Sequence, residues 1–196
     1  MNIKSIKTIY FLAIVVLFII FTKGNALADN EWSFSLFGGR ATFGSEKDVY
    51  TFKADYVDSY IAALVVGKRF WTYKEYIQFE AEAQAAKHWG IQDHFEFNGL
   101  VVLRWLPFPW DEYLDTSLAI EEGISYATDF PVIEAEKHDE VSKTLNYLMV
   151  ELAFKVFDQP QWDIFSRFHH RSGVFGLFND VSGGSNVVGV GVRVYF

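Results

Sequence analysis

The strongest constraint on this chain is a strict two-residue alternation. In Ile77-Gln78-Phe79-Glu80-Ala81-Glu82-Ala83-Gln84-Ala85 every odd position is apolar and every even one polar. A helix would scatter those acids around its circumference, whereas a strand collects them on one face. Phe95, Phe97, Val101, Leu103 and Trp105 oppose Glu96, Asn98 and Arg104 in the same way. Leu148, Val150, Leu152, Phe154 and Val156 oppose Glu151 and Lys155, and the chain closes on Val188, Val190, Val192, Val194 and Phe196. Such segments predict strands near 32–43, 58–71, 75–88, 94–106, 114–127, 144–157, 161–172 and 185–196.

Eight strands of this length suit tilted bilayer crossings, which need about 9–11 residues each. Hydrophobic residues make up 51% of the chain and aromatics 18%, yet no apolar run after Phe21 is long enough for a spanning helix. Alternation reconciles the two, because an outer-membrane strand turns one residue to lipid and the next to the lumen. The predicted fold is therefore all-β, an eight-stranded antiparallel transmembrane β-barrel. The connections at 72–74, 107–113 and 158–160 are tight, while those at 44–57, 128–143 and 173–184 are longer. The short one at 89–93 departs from that pattern. Trp71, Trp105, Trp110 and Trp162 lie by the tight turns, as a periplasmic aromatic girdle would. A soluble sandwich or lipocalin-like barrel has the same alternation with its apolar faces turned inward. The terminal Phe196, with apolar residues at every second position before it, resembles the ending of outer-membrane barrels, and that resemblance favours the membrane.

Two strands fit less well. Lys68 and Arg69 are adjacent, so one of them breaks the alternation or marks the interface. Glu121 and Glu122 do the same within 114–127, where a β-bulge is the cheapest repair.

The N-terminus reads as an address. Lys4 and Lys7 precede an apolar run from Ile9 to Phe21, and Ala26-Leu27-Ala28 is a small-x-small cleavage site. Residues 1–28 are thus expected to be a signal peptide and 29–196 the barrel. Loss of Lys4, Lys7 and Lys23 leaves the mature chain three units more acidic than the full chain's −8. With no basic patch to drive counterion release, nucleic acid is not an expected partner. The absence of cysteine removes disulfides and thiol chemistry.

Chemistry concentrates in Trp162-Asp163-Ile164-Phe165-Ser166-Arg167-Phe168-His169-His170-Arg171-Ser172. Trp162, Ile164 and Phe168 set a lipid face, and Asp163, Arg167, His169 and Arg171 a lumenal one. His170 and Ser172 then fall on the lipid face near the extracellular rim, where polar groups are costly unless paired, functional or at headgroup level. A hydroxyl beside an imidazole is the minimum for an activated nucleophile. His169 and Arg171 read as network residues for Glu80, Glu82, Glu96 or Glu151, whereas His88, His94 and His138 show no metal-ligand spacing.

His170-Arg171-Ser172 on the penultimate strand of an exported eight-stranded barrel resembles the PagL-like lipid A 3-O-deacylases. By motif the resemblance covers about residues 167–196. It implies an outer-membrane location, Ser172 as nucleophile and His170 as its general base. It also implies lipid A, or lipopolysaccharide, as the substrate, a 3-hydroxy fatty acid as product, and no metal or cofactor. The C-terminal strand resembles the signal read by outer-membrane assembly machinery. That family has Asn after the Ser, where this chain has Gly173, and a last-strand Glu to orient the histidine. No acid follows Asp180, so the register counted back from Phe196 makes Asn186 the candidate for that role, with Asp180 second. The glycines from Gly173 to Gly184 are turn residues or, alternatively, expose N–H groups as an oxyanion hole. Arg171, Arg167 or Lys143 could meet glucosamine phosphates. The rival expectation is a non-catalytic eight-stranded barrel with a structural, adhesive or small-solute-binding role through its 44–57 and 128–143 loops.

Overall fold

The computed structural model describes residues 31–43, 46–51, 53–136, 140–157, 159–181 and 183–196. The expected signal peptide and His138 lie outside them. Eight antiparallel strands form a closed barrel in chain order, with β1 hydrogen-bonded back to β8. They are β1 Trp32–Phe43, β2 Asp55–Tyr73, β3 Ile77–Gly90, β4 Phe95–Trp105, β5 Thr116–Ala127, β6 Thr144–Val156, β7 Gln159–Ser172 and β8 Gly184–Tyr195. Two short helices, α1 Glu46–Tyr50 and α2 Val132–Ala135, sit in the β1–β2 and β5–β6 connections. Among the described residues no helix is long and apolar enough to cross a membrane.

The side chains decide the question that alternation leaves open. Glu80, Glu82, Glu96, Glu151, Arg104, Arg167 and Arg193 point inward and are buried, while Phe97, Val101, Leu103, Ile120, Ile124 and Ile164 are exposed on the outer wall. This is the inverse of a soluble barrel, and it is the arrangement a hydrocarbon surround requires. Inside, Glu151 takes hydrogen bonds from Arg104, Arg167 and Arg193, and Glu80 and Glu82 complete the network. Charges that remain in a low-dielectric lumen must be paired this closely, because one left alone costs several kcal/mol (about 3–5). Against this network the stacked rings of Phe37 and Phe165 are buried 6.5 Å apart, with the Arg167 and Arg193 guanidiniums over the Phe165 ring. Phe165 lies where a Cβ on Gly191 would be, so that glycine makes room for the ring. The lumen is packed, as expected for the smallest barrels.

Two local expectations change. Lys68 points outward over the Trp32 ring at 5.0 Å, and the register shift comes after Arg69, between Arg69 and Trp71. Lys68 therefore ends the regular wall instead of breaking it. The bulge expected at Glu121-Glu122 is not there: β5 pairs with β4 and β6 in unbroken register. Glu121 is buried in the lumen and Glu122 is exposed on the outer wall. The acid turned outward accepts a hydrogen bond from Asn146 of β6.

Candidate functional site

β7 and β8 pair so that His170 lies opposite Asn186. Both are even-numbered residues of strands whose even positions face outward, and Asn186 Oδ1 is 2.6 Å from His170 Nδ1. An amide oxygen only accepts, so Nδ1 carries the proton and donates it. That tautomer puts the lone pair on Nε2, the nitrogen a general base would use. The ring is stacked on Phe168, also on the outer wall, with centroids 6.0 Å apart and planes 12° from parallel. A planar partner beneath and a hydrogen bond at the edge fix the imidazole in two directions.

Ser172 follows His170 by two residues and shares its face, about 6–7 Å away at Cα. No hydrogen bond joins its hydroxyl to His170 among the described residues. Ser166, another outward serine of β7, instead donates to the Gly189 carbonyl at 3.3 Å. Thus His170 and Asn186 are brought into contact, while Ser172 is on the same face but not engaged. Asp180, the other candidate partner, is exposed in the β7–β8 connection and makes no hydrogen bond to the ring among the described residues.

The loop glycines serve the turn. A Cβ on Gly173 would run into the Val181 carbonyl oxygen, which explains why an asparagine does not stand there. The N–H groups of Gly173, Gly176 and Phe178 donate to Gly183, Val181 and Gly173 carbonyls. Spent donors cannot form an oxyanion hole. The positively charged candidates also change: Arg167 and Arg171 are buried in the lumen, leaving Lys143 at the loop end of the barrel, its side chain 35% exposed.

Two residues of the outer wall escaped the sequence reading. Asn146 of β6 is directly opposite Ser172, and its Nδ2 donates to Glu122 of β5 and, at 3.3 Å, to the Gly123 carbonyl. Glu122, Asn146, Ser172, His170 and Asn186 thus form a polar strip across β5–β8 on the outer wall. The adjacent Glu121-Glu122 pair was its signal, since a period of two must send one of them outward.

The lumen holds a second cluster at the same end. His88, His94 and Glu96 bring one ligand atom each within 4.8 Å of one another, although the sequence assigned the histidines nothing. Antiparallel pairing of β3 and β4 through a four-residue connection folds these positions together, which linear spacing does not reveal. Burial, reinforced by His88, holds the His94 imidazole down at about 4, so it is neutral near pH 7.

No family model matches the chain, and no curated protein matches it. Among solved structures the chain is similar to the outer membrane enzyme PagL, with a TM-score of 0.55 and 12% identity over 83% of this chain and 98% of that one. It is also similar to Neisserial surface protein A (NspA), with a TM-score of 0.52 and 12% identity over 86% of this chain and 98% of that one. These likenesses establish the fold, that of eight-stranded outer-membrane barrels.

Proposed function

We propose that this chain is an outer-membrane serine esterase that removes the ester-linked acyl chain at the 3-O position of lipid A. The observation that carries the reading is the His170 Nδ1 to Asn186 Oδ1 contact of 2.6 Å on the outer wall. A base on the outer wall is placed for a substrate that lies in the membrane, and with His170 only 9% exposed that substrate must come close against the wall.

Ser172 Oγ adds to the acyl carbonyl carbon as His170 Nε2 takes its proton. The tetrahedral intermediate collapses, and the sugar oxygen leaves with that proton, giving an acyl-serine. Water, deprotonated by the same nitrogen, then releases a 3-hydroxy fatty acid and restores the serine. Ser172 must first rotate toward Nε2, an adjustment common when substrate binds. Asn186 holds the tautomer but does not neutralise the imidazolium as a carboxylate would, so turnover is slow. Asn146, opposite Ser172, carries a side-chain amide that can turn one N–H to the oxyanion while Glu122 holds the other. Insertion of the barrel would use the C-terminal strand and the outer-membrane assembly machinery.

The test is expression in cells of known lipid A composition, with lipid A recorded by mass spectrometry. Loss of one hydroxyacyl chain, abolished by Ser172→Ala, supports the enzyme. An unchanged spectrum with folded, inserted barrel refutes it. That result would favour a non-catalytic barrel, for which the unengaged Ser172 hydroxyl and the similarity to a surface protein both speak.

A further inference from the structure

We infer that the lumenal cluster of His88, His94 and Glu96 is a binding site for a divalent transition-metal ion of the zinc type, independent of the outer-wall residues. Two imidazoles and one carboxylate are the donor set of many three-ligand zinc sites, with the fourth position open to water. Here the donor atoms already converge to within 4.8 Å. His88 Nε2 and Glu96 Oε2 are 3.1 Å apart. Ligands about 2.0–2.2 Å from a tetrahedral ion are separated by about 3.3 Å, so this edge of the polyhedron is nearly formed.

One of the three ligating groups is also unsatisfied. His94 is 3% exposed, and its Nε2 is buried with no hydrogen-bond partner. A buried ring nitrogen left without a partner is destabilising, and a metal bond removes that cost. The His94 ring stacks face to face on His88, 4.4 Å between centroids, which holds the two imidazoles against each other.

The surroundings supply the outer shell that such sites need. Glu96 Oε1 is held by Asn98 Nδ2 at 2.8 Å and His169 Nε2 at 3.2 Å, which leaves Oε2 turned to the histidines. The Tyr147 hydroxyl bonds His169 Nδ1 at 3.0 Å, fixing that ring as a donor toward Glu96. Gln92 Nε2 lies 3.2 Å from His88 Nδ1, while Gln92 Oε1 is buried without a partner. When the ion takes Nε2, Nδ1 becomes the protonated nitrogen. Turning over the Gln92 amide then presents the carbonyl that Nδ1–H needs. The displaced Nε2 proton passes to solvent. Arg171 Nη1, 3.8 Å from Glu96 Oε2, opposes the ion, but Glu134 lies 3.4 Å from the same Nη1 and offsets it.

The occupant would tie the β3–β4 connection to the strand wall at the loop end of the lumen. The experiment uses the untagged mature barrel in detergent, stripped with EDTA and dialysed. Zinc is then added and bound metal quantified, and cobalt(II) serves as a spectroscopic probe. One zinc per chain, an intense tetrahedral cobalt d–d band and a higher Tm in zinc than in EDTA are expected. His94→Leu, which fills the same space with an apolar side chain, should remain folded by heat-modifiable electrophoresis while losing at least ten-fold in zinc affinity and the cobalt band. His88→Leu gives an independent second variant. Failure of the parent barrel to bind zinc in stoichiometric amount overturns the inference, as does undiminished binding by folded His94→Leu or His88→Leu.

Discussion

Asn186 Oδ1 sits 2.6 Å from His170 Nδ1, across the ladder that joins the last two strands of the barrel. The pair couples a neutral amide to an imidazole on a wall where Ile164, Val190 and Val192 are exposed. Its first consequence concerns rate. Asn186→Leu releases the ring and its tautomer, and deacylation should fall by about 10²-fold or more, within the range general-base catalysis contributes. Asn186→Asp should raise it above the parent, because a carboxylate also stabilises the imidazolium. Fatty-acid release from purified lipopolysaccharide measures both. An Asp variant slower than Leu would contradict the assigned role.

Ser172 and His170 should act as one unit. Ser172→Ala and His170→Ala each remove nearly all turnover, and the double variant is no worse than either. Additive losses in the same assay would mean that the two residues do not share a step.

Gly173→Asn restores the residue that the deacylase family carries, yet it should not restore speed. The new Cβ meets the Val181 carbonyl, so the β7–β8 connection must shift. A lower Tm and unchanged or reduced activity are expected, read from thermal melts beside lipid A spectra.

Glu122 separates stability from function. An acid on a hydrocarbon-facing wall costs up to about 2 kcal/mol, less than a basic residue would. Glu122→Leu should therefore stabilise the barrel in urea titrations in lipid by roughly 1–2 kcal/mol. It should also weaken deacylation, since Asn146 loses the partner that positions it opposite Ser172. A stabilised variant with full activity would leave Glu122 outside the site.

Inside the barrel the sign reverses. Glu151 accepts from Arg104, Arg167 and Arg193, and Glu151→Gln leaves three guanidiniums short of a counter-charge. A loss of about 3–5 kcal/mol, or failure to refold, is expected by the same titration.

What the chain itself specifies is parity. A strand has a side-chain period of two, so Glu80, Glu82 and Glu96 must share one face and Phe79, Phe97 and Val101 the other, whatever they pair with. Parity also placed His170, Ser172 and Asn186 on a common face, and a sound application of it to Glu121-Glu122 would have sent Glu122 outward without a bulge. Parity does not say which face is inside, nor which residues meet across strands. Those depend on closure of β1 on β8 and on the offset between neighbouring strands, fixed by hydrogen bonds between residues far apart in the chain. Only that offset set Asn186 against His170, Asn146 against Ser172, and His94 with Glu96 against His88. An alternating pattern looks the same after any shift by two residues, so the contacts that carry chemistry were left for the tertiary structure to decide.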